Sequence, residues 1–189
     1  AACVFYPIRK EATLGLTNTS TGRGAAQTGM QVERRCGGER VIALAGNPNV
    51  GKSTLFNTLT GMHQHTGNWP GKTVCSAQGS LTCADGTFLL VDIPGTYSLS
   101  AHSAEEEVAR DFLMFGNADG IAVVCDATCL ERNLNLVLQI TEITPRTAVI
   151  VNLMDEAERR HIAVNLPLLE RRLGVPVIGT VAHQKTVCR

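Results

Sequence analysis

Neither sign of charge predominates in this sequence. Seventeen Lys and Arg balance seventeen Asp and Glu, so no global basic field exists to attract nucleic acid or acidic lipid. That argues against RNA or DNA as the main partner. No apolar run approaches the roughly 20 residues that span a bilayer; the piece is expected to be soluble, with any membrane part beyond its end. No Cys-x-x-Cys pair occurs among the seven cysteines at 3, 36, 75, 83, 125, 129 and 188. An odd, scattered set suits a disulfide framework badly and fits reduced thiols in a cytosolic protein. No internal repeat is present, and the first residue is Ala rather than Met, which points to a fragment or a processed product.

What is present, 189 residues with 44% of them hydrophobic, suffices for one well-cored domain with a tail. Residues 1–39 are polar and turn-rich, as in Thr17-Asn18-Thr19-Ser20-Thr21-Gly22-Arg23-Gly24, and read as a flexible tail or extension. From Arg40 to 189 the chain alternates strand-like and helix-like pieces. Strands are expected at 41–45, 74–83, 87–92, 121–125, 148–152 and 177–181, the second and third joined by the turn Ala84-Asp85-Gly86. Helices are expected at 52–61, 105–116, 131–143 and 165–173, with Gly61 and Gly174 as stops and Glu105-Glu106-Glu107 as a charged first turn. Residues 62–73 read as a polar loop. The alternation predicts an α/β layered fold with a mostly parallel sheet and helices on both faces, and the G-x-x-x-x-G-K-[ST] run at residues 46–53 makes it one of the P-loop NTPase, small-GTPase-like kind. The chain stops about eight residues after its last expected strand, so the covering helix usual there is missing and the domain reads as truncated.

Gly46-Asn47-Pro48-Asn49-Val50-Gly51-Lys52-Ser53 matches G-x-x-x-x-G-K-[ST] in full. The glycines let the backbone turn tightly and approach phosphates, and successive N–H groups point inward at a helix start whose dipole favours anions. Gly46, Asn47, Asn49, Val50, Gly51, Lys52, Ser53 and Thr54 form the expected phosphate-contact set. Lys52 neutralises β- and γ-phosphate charge, and the Ser53 hydroxyl ligates magnesium. Asp92-Ile93-Pro94-Gly95 follows an apolar run forty residues after Lys52. Asp92 can hold magnesium through water, and the Gly95 N–H can contact the γ-phosphate; an ordinary turn is the competing reading. Asn152-Leu153-Met154-Asp155 ends a further strand. A buried carboxylate at Asp155 accepts from the N1–H and 2-amino group of guanine and is left unpaired by adenine. Val181-Ala182 is a fainter candidate for the backbone N–H that meets guanine O6.

In order, GNPNVGKS, NWPGKTV, DIPGTYSL and NLMDEAE make the chain resemble the cytosolic G domain of the bacterial ferrous iron transport protein B family, from about Val41 to Ala182. Gly67–Thr73 and Asp92–Leu99 are the most particular parts; Leu130-Glu131-Arg132-Asn133-Leu134 also fits the family but has no chemical role evident from sequence. The departure of NLMD from the commoner N-K-x-D is shared by the family. The resemblance implies GTP and GDP as ligands, a helical linker and a membrane-embedded iron permease in the same full-length protein, and a place on the cytoplasmic face of the bacterial inner membrane. Homo-oligomerisation is an open expectation.

Thr73 is the candidate switch I threonine, ligating magnesium when the γ-phosphate is present, in a loop, 63–73, expected to be mobile without nucleotide. Trp69 in that loop reads as a packing anchor. No Gln follows Asp92-x-x-Gly95, so the attacking water must be ordered by backbone or by Thr96. No arginine lies in switch I either, so intrinsic turnover should be slow unless another cation substitutes. The resemblance implies that Asn49 helps bind potassium against the phosphates; the alternative is an Asn chosen for turn geometry. His63, His65 and His102 read as solvated rather than metal-binding. The expected catalytic set is Asn49, Lys52, Thr73 and Gly95. Two other readings share the motifs: a soluble GTPase of the ribosome-assembly or tRNA-modification type, and a nucleotide-dependent binding switch with negligible catalysis.

Overall fold

Alternation in the first strand sets the layers. In β1 (Arg40–Gly46), Val41, Ala43 and Ala45 enter one buried cluster while Ile42 and Leu44 enter another on the opposite face, as the period of two requires. The structure is a computed structural model that describes residues 39–61, 65–68, 75–100, 103–182 and 186–188.

The described strands form one sheet of order β2-β3-β4-β1-β5-β6-β7-β8, with β2 (His65–Asn68), β3 (Cys75–Cys83), β4 (Gly86–Asp92), β5 (Gly120–Asp126), β6 (Thr147–Asn152), β7 (Val177–Val181) and β8 (Thr186–Cys188). β4, β1, β5, β6 and β7 run parallel, while β2, β3 and β8 pair antiparallel at the edges. β1 is central, flanked by the strand that ends in Asp92 and by the strand that starts the second half. Its base is clamped reciprocally, Val41 N–H donating to Asp119 Oδ2 at 2.8 Å and Asp119 N–H to Val41 O at 2.7 Å.

One face is covered by α1 (Lys52–Thr60), which buries Leu55 and Phe56. The other carries α2 (Ala104–Phe115), α3 (Leu130–Ile143), α4 (Met154–Arg159) and α5 (Leu166–Leu173), whose Val108, Phe112, Leu136, Ile140, Ala157 and Leu166 join the larger core. Helix ends follow local chemistry. Ser103 accepts from Glu106 N–H at 3.1 Å ahead of the acidic first turn of α2, and Asn165 accepts from Leu168 N–H at 2.9 Å to open α5. Gly61 and Gly174 close α1 and α5 in the left-handed region, at φ 63° and 70°.

The expected layered α/β fold is what the chain adopts, with four corrections. Residues 65–68, expected within a polar loop, form β2, held by main-chain pairing to β3 from His65↔Gln78 to Asn68↔Cys75. A short 3-10 turn (Ala127–Cys129) and α4 have no counterpart among the expected elements. Glu39, expected in the tail, is buried at the foot of β1. β8, antiparallel to β7, also has no counterpart among the expected elements. Residues 1–38 lie outside the described residues. Among the described residues no helix is long and apolar enough to cross a membrane.

Candidate functional site

β1 runs into a tight loop that opens α1, and the backbone there explains the glycines. A Cβ at Gly46 would meet Val124 O of β5 at 2.6 Å, so the loop leaves the sheet pressed against its neighbour strand. Gly51 caps α1 at φ 78°, and a Cβ there would lie 2.5 Å from Asn152 Nδ2. Asn49 is exposed with φ 65°, a conformation that Asn tolerates better than most residues. That conformation is one reason for an Asn here. Asn47 is buried, with neither end of its side-chain amide hydrogen-bonded to protein. Val50 is buried, while Thr54 faces outward on the first turn of α1.

Three of the expected residues converge at the helix start. Lys52 Nζ pairs with Asp92 Oδ1 and donates to Ile93 O at 2.7 Å. Ser53 Oγ donates to Asp92 Oδ2 at 3.1 Å. The convergence follows from topology, because β4 lies beside β1 and delivers Asp92 alongside the loop. A hydroxyl and a carboxylate side by side are hard oxygen donors of the kind magnesium takes while retaining most of its water, so the pair fits that ion.

Gly95 lies directly on the loop: a Cβ would come 3.1 Å from Pro48 N and 3.2 Å from Pro48 Cα. The next residue, Thr96, donates its N–H to Gly46 O at 3.1 Å. Its hydroxyl, a candidate organiser of water, is instead turned into a local bend: Thr96 is buried and Oγ1 donates to Ser98 O at 2.6 Å. Backbone, not the Thr96 side chain, faces the phosphate loop.

Asn152, at the end of β6, is buried and ties distant pieces together. Its Nδ2 donates to Val50 O at 3.0 Å; its Oδ1 accepts from Thr180 Oγ1 at 3.2 Å and from Ala182 N–H at 3.1 Å. The Ala182 N–H expected to meet guanine O6 is thus committed to Asn152, and Val181 lies within β7 paired to Thr186. Thr58 of α1 adds a bond to Ala182 O at 3.1 Å. Asp155 occupies the first turn of α4, its side chain largely buried and paired with the exposed Arg159. Leu153, in the left-handed region at φ 61°, makes the bend between Asn152 and Asp155.

Thr73, Trp69, His63 and His102 lie outside the described residues, so the expected switch I contacts do too. Among the described residues no group of three His, Cys, Asp or Glu comes together as a metal centre. The Leu130–Leu134 stretch, silent in sequence, acquires contacts: Asn133 is buried and donates to Cys129 O at 2.8 Å, and the Arg132 guanidinium stacks 4.2 Å from the centre of the Tyr97 ring. A cavity of about 590 Å³ lies away from the phosphate loop, between Thr128–Arg132 and Ile162–Arg172.

Behind the site, Cys125 is fully buried in β5. Burial, and secondarily Cys129 and Asp126, push its thiol up from about 9.0 to about 12. Because the unfolded chain ionises this thiol first, its contribution to stability is complete below pH 9 and is lost as pH rises toward 12. Denaturant unfolding across that window should show stability falling by up to about 1.4 kcal/mol per pH unit from this group, with a shallower slope in Cys125→Ala.

The family model described as ferrous iron transport protein B matches residues 40–189. The Fe(2+) transporter FeoB of Escherichia coli K12 is 46% identical over 145 residues, covering 75% of this chain and 19% of that protein; the Salmonella typhimurium FeoB is 44% identical over the same length. The chain therefore spans about a fifth of the length of these curated relatives. Among solved structures, the G domain of the T. maritima FeoB iron transporter superposes with a TM-score of 0.73 at 40% identity, covering 77% of this chain and 89% of that one. A point mutant of S. thermophilus NFeoB bound to GDP gives 0.73 at 43% identity, covering 78% and 57%. The Methanococcus jannaschii FeoB G domain gives 0.68 at 40% identity, covering 78% and 89%.

Proposed function

This chain belongs to the ferrous iron transport protein B family and is its G domain, and from that premise we propose that it binds GTP with magnesium and hydrolyses it slowly, regulating ferrous iron transport by a permease portion of the same protein at the cytoplasmic face of a bacterial inner membrane. The observation that carries the reading is the meeting of Lys52, Ser53 and Asp92 at a glycine-bounded loop that opens a helix. On this family the ribosome-assembly and tRNA-modification reading is not favoured.

The loop N–H groups from Asn47 to Ser53, with the positive end of α1, hold the phosphates. Lys52 turns from Asp92 to the β- and γ-phosphate oxygens. Ser53 and Asp92 would hold magnesium, which would supply positive charge against those oxygens. Gly95, held against Pro48, offers its N–H to the γ-phosphate. With the Thr96 hydroxyl bonded to Ser98, the backbone at 95–96 orders the attacking water. Asp155 accepts from the guanine N1–H and amino group. Asn152 has three of its four hydrogen-bonding positions committed to protein, which leaves one N–H for the base. Thr73 would add a ligand to that ion when the γ-phosphate is bound. Asn49, exposed on the loop, would help hold potassium, which would supply the positive charge that an arginine finger gives elsewhere.

GTP turnover by the intact protein, compared in potassium and sodium at equal ionic strength with Asn49→Ala alongside and ATP as competitor, tests this. We expect GTP to be hydrolysed, ATP not to compete, and potassium to raise the rate about tenfold or more, a stimulation lost in Asn49→Ala. Tight GTP binding with turnover indifferent to the cation and far slower than nucleotide release would instead identify a binding switch.

A further inference from the structure

The segment after Gly95 is held at both of its ends. At one end it lies on the phosphate loop, through Gly95 against Pro48 and Thr96 N–H to Gly46 O. At the other it meets α3 twice. The Arg132 guanidinium lies 4.2 Å from the Tyr97 ring centre, and Leu99 N–H donates to Gln139 Oε1 at 2.7 Å. Arg132 and Gln139 are seven residues apart, two turns along one face of the helix, roughly 10 Å. α3 itself is fixed, since Leu136, Val137 and Ile140 are fully buried and Asn133 is tied to Cys129 O. The helix is thus anchored in the core, and the segment spans from it to the phosphate loop.

We propose that Arg132 and Gln139 are positioning residues for GTP hydrolysis: from α3 they set where the backbone of Gly95 and Thr96 lies over the phosphate loop. The inference rests on the GTPase reading above and adds to it a pair of residues that touch neither nucleotide nor metal. Its force comes from the Thr96 side chain. That hydroxyl is bonded to Ser98 O, the Thr96 N–H is engaged by Gly46 O and no Gln occupies the place, so at positions 95–96 the ordering of water falls to the main chain. A side chain can correct a small misplacement by changing rotamer; a backbone N–H cannot, so its accuracy depends on what anchors the chain on either side. Arg suits the outer anchor because a planar guanidinium stacks on an aromatic face, which an ammonium does less well. The Tyr97 ring is partly exposed, so the contact is able to open when the segment moves.

The test measures kcat for GTP and Kd for GDP on the intact protein, wild type and Arg132→Ala, Arg132→Lys, Gln139→Leu and Gln139→Glu, together with hydrogen exchange at the Leu99 amide. Arg132→Ala and Gln139→Leu should each lower kcat about three- to tenfold while GDP affinity stays within about twofold. Gln139→Leu should also release the Leu99 amide to exchange. Gln139→Glu keeps an oxygen acceptor and should recover most of the lost rate, and Arg132→Lys, which keeps charge without the planar stack, only part. Unchanged kcat in both truncations, an equal loss of GDP affinity, or a Gln139→Glu protein as slow as Gln139→Leu would overturn the positioning role. Active wild type with unaffected variants defeats this role alone; absence of turnover in wild type defeats the GTPase reading and this role with it.

Discussion

Lys52→Met lowers GTP turnover by about 10³-fold, with a thermal midpoint lower by only several degrees as Asp92 and Ile93 O lose a partner. The reason lies in where the ammonium is held. Lys52 is nearly buried between Asp92 and Ile93 O at the first residue of α1, so its charge acts with little screening on whatever the loop binds. Removing one preorganised donor from such a site costs about 10² to 10³ in rate, and here the donor is also a full charge. Methionine keeps the length and volume of the stem, so the packing beneath the loop is retained. The check is kcat at saturating GTP with the thermal midpoint measured beside it. Turnover within tenfold of wild type would mean that Lys52 serves only as the counterion of Asp92.

Asn152→Leu should cost about 3 to 5 kcal/mol of stability. Three buried partners, Val50 O, Thr180 Oγ1 and Ala182 N–H, lose their bond at once, and each orphaned group costs about 1 to 3 kcal/mol. Leucine is close in size, so the loss is of hydrogen bonds rather than of volume. The midpoint should fall by about 10 °C, and GDP affinity by at least tenfold, because the phosphate loop and the chain at Ala182 are no longer tied together. Thr180→Val, which removes one of the three bonds, should cost only about 1 kcal/mol. A drop in Asn152→Leu no larger than that of Thr180→Val would show that the three bonds do not act as a unit.

The parts of the molecule that sequence makes visible are those whose residues carry their own reason. β1, β4, β5 and β6 are apolar runs, buried because both faces of a parallel strand are covered, and the loop between β1 and α1 is dictated by glycines that nothing else can replace. β2 is invisible for the converse reason. His65-Thr66-Gly67-Asn68 has no apolar period, and the strand exists through main-chain pairing to β3. α4 lacks an apolar stripe as well; its surface is laced by Arg159 to Asp155 and Glu156, and Arg160 to Glu156. At the site, Lys52, Ser53 and Asp92 are legible because spacing and strand order bring them together. The contacts of Arg132 with Tyr97 and of Gln139 with Leu99 join residues about 35 to 40 apart, and no local pattern announces them. The odd density of Leu130–Leu134 is the one trace they leave in the sequence. Sequence leaves backbone and the Thr96 hydroxyl as alternatives for ordering water, because a Thr two residues before a main-chain carbonyl can satisfy itself locally, a competition that only geometry decides.

The fit of Gly46 against Val124 O and of Gly51 against Asn152 also fixes an order in time. The glycine loop is among the first parts of this domain to leave the ribosome, yet the surfaces it moulds to belong to β5 and β6, the later of them roughly a hundred residues on. At about 5 to 20 residues per second, the loop waits roughly 5 to 20 seconds before its supports exist. During that interval it is an unshaped, glycine-rich stretch that cannot grip a phosphate. A nascent chain is thereby kept from capturing cellular nucleotide before the sheet that responds to it has been built.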